Sequence, residues 1–254
     1  MARSNTCDTL PRLNMTDQEP PTTNERSRGR ISVPWGITDA MIGFAIVACG
    51  SLASLLALGH LLGSLERQPD GITAVVLFLL QILMVVTVWF LAVKWRGASL
   101  TSLGLGTGGL HWPKIVGWAA LALGLSIVAG LVYQLIVTGL SIESLEPSPV
   151  PERLLGEGVV RAFTVGILVV VGPAAEEIFF RGFLLSAFVQ GIGVLPGLIV
   201  ASAIFAIAHG DLTVLLPTFA SGAVLSWLYL RTRSLWPGFL AHAGQNSLAV
   251  TFAV

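Results

Sequence analysis

Long apolar runs separated by short polar breaks dominate the chain from Trp35 to its last residue. A helix that crosses a bilayer needs about 20 largely apolar residues, and only helices satisfy their own backbone hydrogen bonds in lipid. The runs are too long for barrel strands, so they predict an all-α, polytopic transmembrane bundle of seven or eight helices. The eighth arises if Pro173 divides the fourth run. The runs are Trp35–Leu62, Gly71–Val93, Ile115–Leu140, Val159–Val189, Ile192–His209, Leu212–Leu230 and Leu235–Val254.

The composition supports a membrane protein and excludes one class of partner. Of the 254 residues, 54% are hydrophobic and only 11% are charged. In soluble domains about a quarter of all residues are charged. The formal net charge is zero and no basic stripe is present. Nucleic acid is therefore not an expected partner.

Three segments follow from the distribution of polar and apolar residues. Residues 1–30 are polar and without apolar periodicity, which predicts a disordered tail. Residues 31–155 are predicted to form the N-terminal transmembrane helices. Residues 156–254 form a second set of helices, which contains the polar residues described below.

Basic residues are unevenly distributed over the predicted connections. The tail has five arginines, whereas the third connection, Ser141–Glu157, is acidic and rich in proline. The second connection is basic through Lys94, Arg96 and Lys114. The positive-inside rule therefore predicts a cytoplasmic N-terminus.

Three charged residues lie inside an apolar run of the C-terminal segment. Residues 171–254 contain six charged side chains, and Glu176, Glu177 and Arg181 are the three that do not lie at a turn or a helix end. An ionisable group within a membrane costs a few kcal/mol. Glu177 and Arg181 have the i,i+4 spacing of a helical ion pair, while Glu176 is turned about 100° away. The pair could simply dock one helix on another, but Glu176 is free for chemistry.

Two further polar pairs have the same helical spacing. Phe205 precedes His209 by four residues, and His242 precedes Asn246 by four. A carboxylate can act as a general base toward water, and an imidazole or a carboxamide can hold that water or stabilise an oxyanion. Neutral imidazoles can also bind a divalent metal. The set predicts a hydrolase that cleaves peptide bonds.

The predicted helix path poses a difficulty for this set. If Ile192 begins a helix at one membrane face, His209 ends it near the other face, and His242 would lie far from it. Breaks at Pro173, Gly210 or Pro217 could bring the two histidines together, because broken helices are tolerated where they line a cavity in the protein.

The three motifs resemble those of the CPBP family of CAAX-prenyl proteases and bacteriocin-processing proteases. That family has a Glu-Glu-x-x-x-Arg, a Phe-x-x-x-His and a His-x-x-x-Asn motif, and all three are present in this order over about Val159–Val254. The resemblance implies an intramembrane endopeptidase in a bacterial plasma membrane, with a membrane-associated or lipidated protein as substrate.

The resemblance also implies roles for the individual residues. Glu176 would activate the water, His209 would help to hold it, and His242 and Asn246 would stabilise the oxyanion. Glu177, Arg181 and Phe205 would organise the site. Zinc is an open alternative, with Glu176, His209 and His242 as its ligands and a water in the fourth position.

Two other functions compete with this interpretation. Ser221 and His242 superficially fit the serine–histidine dyad of a rhomboid-like protease, but that reading leaves both glutamates unexplained. A transporter or a non-catalytic scaffold could also contain buried glutamate and histidine. Transporters usually have matched halves, whereas these polar residues occur in one half only.

Overall fold

The computed structural model describes residues 31–63, 71–146 and 155–252, which contain seven helices and no strand. The predicted all-α bundle is therefore confirmed, while the predicted disordered tail, residues 1–30, lies outside the described residues. All seven helices belong to one compact unit, Ser32–Val254. They are α1 Ile37–Gly63, α2 Ile72–Trp95, α3 Trp112–Gly139, α4 Gly158–Ile192, α5 Val194–Ala208, α6 Leu215–Thr232 and α7 Trp236–Phe252.

Four of the seven helices, α1 to α4, are long and apolar enough to cross a membrane. Helix α5 has 15 residues, α6 has 18 and α7 has 17, so they are about 22–27 Å long at 1.5 Å per residue. They are shorter than the predicted runs because non-helical residues separate them. Gly193 lies between α4 and α5, the turn at Gly210 lies between α5 and α6, and the turn at Arg233 lies between α6 and α7. The number of helices agrees with the sequence analysis, but fewer of them have the length and composition of a full span.

Helix α4 passes Pro173 without a break. A π-helical stretch, Ile167–Val171, precedes the proline, and the Gly172 N–H donates to the carbonyl of Ile167, five residues back. A second π-helical stretch, Glu177–Leu185, follows it. Proline removes a backbone donor and crowds the preceding turn, and the wider π turn accommodates it within one helix. The eighth helix that Pro173 could have created is therefore not formed.

The connection between α2 and α3 sets the position at which α7 begins. The Leu235 N–H donates to the Gly104 carbonyl at 2.8 Å, and the Ser234 hydroxyl donates to the Gly106 carbonyl at 2.8 Å. The same connection lies against α4, because a methyl group on Gly182 would be 2.7 Å from the Leu103 carbonyl oxygen. Helix α7 thus starts beside the middle of α4 rather than at its end.

This arrangement resolves the expected separation of the two histidines. His242 lies in the second turn of α7, and His209 directly follows the short helix α5. Since α7 begins part-way along α4, its second turn reaches the level at which α5 ends. Of the three predicted breaks, Gly210 lies in the turn after α5 with φ +68°, and Pro217 lies in the first turn of α6.

Candidate active site

The ion pair on α4 forms between the two residues that the i,i+4 spacing joins. Arg181 Nη1 lies 3.0 Å from Glu177 Oε1, and the two side chains are 1% and 2% exposed. Neither Nη nitrogen has a well-aligned hydrogen bond within the described residues, so the contact is ionic rather than a directed hydrogen bond. The guanidinium carbon also lies 4.1 Å from the ring centroid of Phe205, which adds a cation–π contact between α4 and α5.

His242 lies between the two adjacent glutamates. Its Nδ1–H donates to Glu177 Oε1 at 3.2 Å, and its Nε2 lies 3.7 Å from Glu176 Oε2. Residues about 100° apart on α4 can both reach one imidazole because the ring has nitrogens on two different edges. Glu177 therefore fixes the ring and directs Nε2 toward Glu176.

The two carboxylates differ in their exposure. The Glu177 side chain is 2% exposed and its Oε2 packs against Gly238, where a methyl group would lie 2.7 Å away. The Glu176 side chain retains 19% exposure. Glu176 can consequently be reached by water or a substrate, whereas the Glu177 side chain is almost fully buried.

Phe205 contacts the rings of both histidines. Its ring centroid is 4.7 Å from that of His209 and 5.8 Å from that of His242, with edge-to-face geometry in both cases. The His209 Nδ1 lies 2.8 Å from the Phe205 carbonyl oxygen. A carbonyl only accepts, so Nδ1 is the donor, and the neutral ring has its lone pair on Nε2.

Asn246 lies one turn beyond His242 and is held by α4. Its Nδ2 donates to the Leu168 carbonyl at 2.7 Å, which uses one of the two N–H groups of the carboxamide. Ser221 has a different partner from the one a serine–histidine dyad requires, because its hydroxyl donates to Gln245 Oε1 at 2.8 Å. The structure thus places Glu176, Glu177, Arg181, Phe205, His209, His242 and Asn246 around the facing sides of α4, α5 and α7.

The donor set does not form a metal centre in the described residues. No group of three histidine, cysteine, aspartate or glutamate side chains there is arranged to hold an ion. His242 also directs one nitrogen to each glutamate, and a bound Zn²⁺ would need ligands within about 2.0–2.3 Å of one point. The zinc set predicted from the sequence, Glu176, His209 and His242, stays a prediction.

An apolar cavity of about 200 Å³ opens beside Glu177. Glu177 is its one charged lining residue, and the others come from the α2–α3 connection, α4 and the start of α7. They are Leu105, Ala174, Ile178, Leu235, Trp236 and Phe239. The cavity therefore offers an apolar side chain or a lipid chain a position next to Glu177.

Two contributions to the site were not apparent from the sequence. The contact of Glu177 with His242 joins residues on two helices, and helical spacing predicts only contacts within one helix. Gly238 provides the space for the Glu177 carboxylate. Its position four residues before His242 was a usable signal, because it places both on one face of α7.

The fold and the site together define an integral membrane protein with a glutamate–histidine cluster of the kind that hydrolases use. The comparisons with known proteins specify the class further. Residues 159–248 match the family described as "Type II CAAX prenyl endopeptidase Rce1-like". This segment of the chain is thus similar to CAAX-type membrane proteases.

Two curated proteins are similar to parts of the chain. "Putative membrane peptidase YdiL" of Bacillus subtilis (strain 168) is 35% identical over 94 residues, which are 36% of this chain and 38% of YdiL. "Membrane-embedded CAAX protease MroQ" of Staphylococcus aureus (strain USA300) is 29% identical over 149 residues, 55% of this chain and 60% of MroQ. The matches thus span less than two thirds of either relative. No solved structure matches the chain significantly.

Proposed function

We propose that the protein is an intramembrane endopeptidase that hydrolyses a peptide bond of a membrane-associated or lipidated substrate with water activated by Glu176. The observation that carries this proposal is the position of His242 between the two glutamates, with 3.2 Å to Glu177 and 3.7 Å to Glu176. One carboxylate is enclosed and holds the ring, and the other is accessible. This division of roles is the one a general base and its orienting partner require.

The hydrolytic step can be written with the groups of this chain alone. Glu176 accepts a proton from a water molecule while the water oxygen attacks the carbonyl carbon of the substrate. The proton then passes to the departing amine, which returns Glu176 to its carboxylate form. His209 contributes its free Nε2, and Asn246 contributes the N–H that is not donated to Leu168, as partners for the water and the oxyanion.

Glu177 and Arg181 act on the site through His242 and Phe205. Glu177 accepts from His242 Nδ1, and Arg181 stacks over the ring that contacts both histidines. The pair therefore organises the imidazoles and takes no proton in the hydrolytic step. The apolar cavity beside Glu177 supports an apolar residue or an attached lipid as the recognised group of the substrate. The basic tail supports a cytoplasmic N-terminus, and the similarity to two bacterial membrane proteins supports a bacterial plasma membrane.

The experiment compares purified wild type with single variants on a labelled membrane peptide, prepared with and without an attached prenyl chain. We expect cleavage by wild type and a loss of about 10²–10⁴ in rate for Glu176→Gln, with unchanged thermal stability. Glu143→Gln is the matched control, because Glu143 lies exposed in the turn after α3. It should cleave like wild type.

The outcomes separate the competing functions. A Glu176→Gln variant that cleaves normally would remove Glu176 from its proposed role. A wild type that cleaves neither form of the peptide would favour the non-catalytic scaffold. Inhibition by a chelator that added Zn²⁺ reverses would assign the chemistry to a metal.

A further inference from the structure

Helix α4, which is described over its whole length, does not supply a regular donor to the Leu168 carbonyl. In an α turn this carbonyl would accept from the N–H of Gly172, and in a π turn from the N–H of residue 173. The Gly172 N–H donates instead to the carbonyl of Ile167. Residue 173 is a proline, which has no N–H. The combination of the π turn and Pro173 therefore frees one carbonyl on α4.

The side chain of Asn246 takes the place of that donor from helix α7. Its Nδ2 donates to the Leu168 carbonyl at 2.7 Å. A carbonyl only accepts, so the contact fixes which side of the carboxamide faces α4 and leaves its oxygen and its second N–H for other partners. In lipid, a carbonyl freed by proline needs a partner from a neighbouring helix. Here the partner is a residue of the candidate active site.

We infer that Pro173 is a positioning residue of the site, and that it acts by keeping the Leu168 carbonyl available to Asn246. The inference rests on the proposed function, in which the second N–H of Asn246 is a donor to the oxyanion. Asn246 lies four residues after His242, on the same face of α7, and His242 Nε2 is directed toward Glu176. A carboxamide anchored on α4 keeps one orientation on that face. Donors that are fixed in advance stabilise a developing charge without reorganisation.

A purely structural role for this contact makes a different prediction. Proline within a helix is less stable than alanine, because it lacks the hydrogen bond and crowds the preceding turn. If Asn246 only satisfied a carbonyl that the proline happens to free, Pro173→Ala would raise the stability and leave cleavage unchanged. If the proline positions Asn246, the same substitution raises the stability but lowers cleavage, since the new N–H competes for the Leu168 carbonyl.

The test measures kcat, KM and melting temperature for wild type, Pro173→Ala, Asn246→Ala and the double variant with the peptide described above. We expect Asn246→Ala to lose about 10²–10³ in kcat, as for a lost oxyanion donor. Pro173→Ala should lose about 10- to 100-fold in kcat, as for a catalytic group displaced by about 1 Å, with KM little changed and the melting temperature equal or higher. The double variant should have the kcat of Asn246→Ala, because the proline acts only through Asn246.

Hydrogen exchange of the Asn246 carboxamide reports the anchor without any activity. It can be followed by NMR on isotope-labelled protein, and it should be slow in wild type and faster in Pro173→Ala. Pro113→Ala is the matched control, because Pro113 lies exposed in the first turn of α3, where a backbone N–H has no acceptor within the helix. It should equal wild type in cleavage and in carboxamide exchange.

Four results would each overturn the inference. They are unchanged cleavage by Pro173→Ala, a melting temperature that falls together with its activity, a double variant clearly less active than Asn246→Ala, and unchanged carboxamide exchange. A wild type that cleaves neither form of the peptide would instead overturn the proposed function. The exchange measurement would then still decide whether Pro173 positions Asn246.

Discussion

The substitution Gly238→Ala tests whether the enclosed glutamate organises the site. A methyl group on Gly238 would lie 2.7 Å from Glu177 Oε2 and 3.4 Å from its carboxyl carbon. Favourable contacts between heavy atoms begin at about 3.5 Å, so the carboxylate must withdraw by about 0.7–0.8 Å. It cannot do so freely, because the same carboxylate contacts Arg181 and His242 through Oε1.

The expected magnitude combines two opposing effects on the free energy of unfolding. Alanine is favoured over glycine in a helix by about 0.5–1 kcal/mol, and inserting a methyl group into a packed interior costs about 1–3 kcal/mol. We therefore expect a net loss of up to about 2.5 kcal/mol. The displaced carboxylate also moves His242, and a shift of about 1 Å in a catalytic group can reduce the rate about 10²-fold.

Gly117→Ala is the matched control for this substitution. Gly117 lies exposed on α3, and a methyl group there has no atom within 4 Å. The assay measures melting temperature and peptide cleavage of both variants in the same lipid. The Gly117 variant should equal or exceed wild type in both. If Gly238→Ala behaves like Gly117→Ala, or loses stability but retains full cleavage, the role given to Glu177 is wrong.

Three further predictions concern the ion pair, the membrane orientation and a surface turn. Glu177→Gln leaves Arg181 buried without its partner, so we expect a loss of about 3–5 kcal/mol, seen as a lower melting temperature together with lost cleavage; a stable, inactive variant would contradict this. In a variant whose only cysteine is Cys7, a membrane-impermeant maleimide should react only after permeabilisation, and labelling of intact cells would reverse the predicted orientation. The Thr213 hydroxyl and backbone N–H hold the pKa of the Asp211 carboxyl below its usual value, so their contribution to the turn is present at neutral pH and is lost as the pH falls through that lowered pKa. In wild type the protection of the Thr213 amide from hydrogen exchange, relative to an unstructured amide, should fall over that pH range. In Asp211→Asn the protection should not change with pH in this way.

The sequence predicted the helices because their cause is local. Apolar run length and the need to satisfy backbone groups in lipid act on each segment separately, so seven helices and the pair Glu177–Arg181 could be anticipated. The lengths of α5 to α7 were overestimated, since apolar turn residues such as Leu212 and Leu235 are indistinguishable from helix by hydropathy alone.

The convergence of the polar residues could not be derived in the same way. It depends on where α7 starts, which is set by the hydrogen bonds of Leu235 to Gly104 and of Ser234 to Gly106 over a long sequence separation. No periodicity within α7 contains that information.

The short helices around the site have a consequence for the surrounding lipid. Helices α5, α6 and α7 are about 22–27 Å long, while the hydrocarbon core of a bilayer is about 30 Å thick. Such hydrophobic mismatch is relieved when the leaflets draw together locally or when flanking side chains extend to the interface. Thinned lipid beside α5 to α7 would shorten the path of water to Glu176. Under the proposed function, the acyl-chain length of the bilayer would then affect the supply of one reactant.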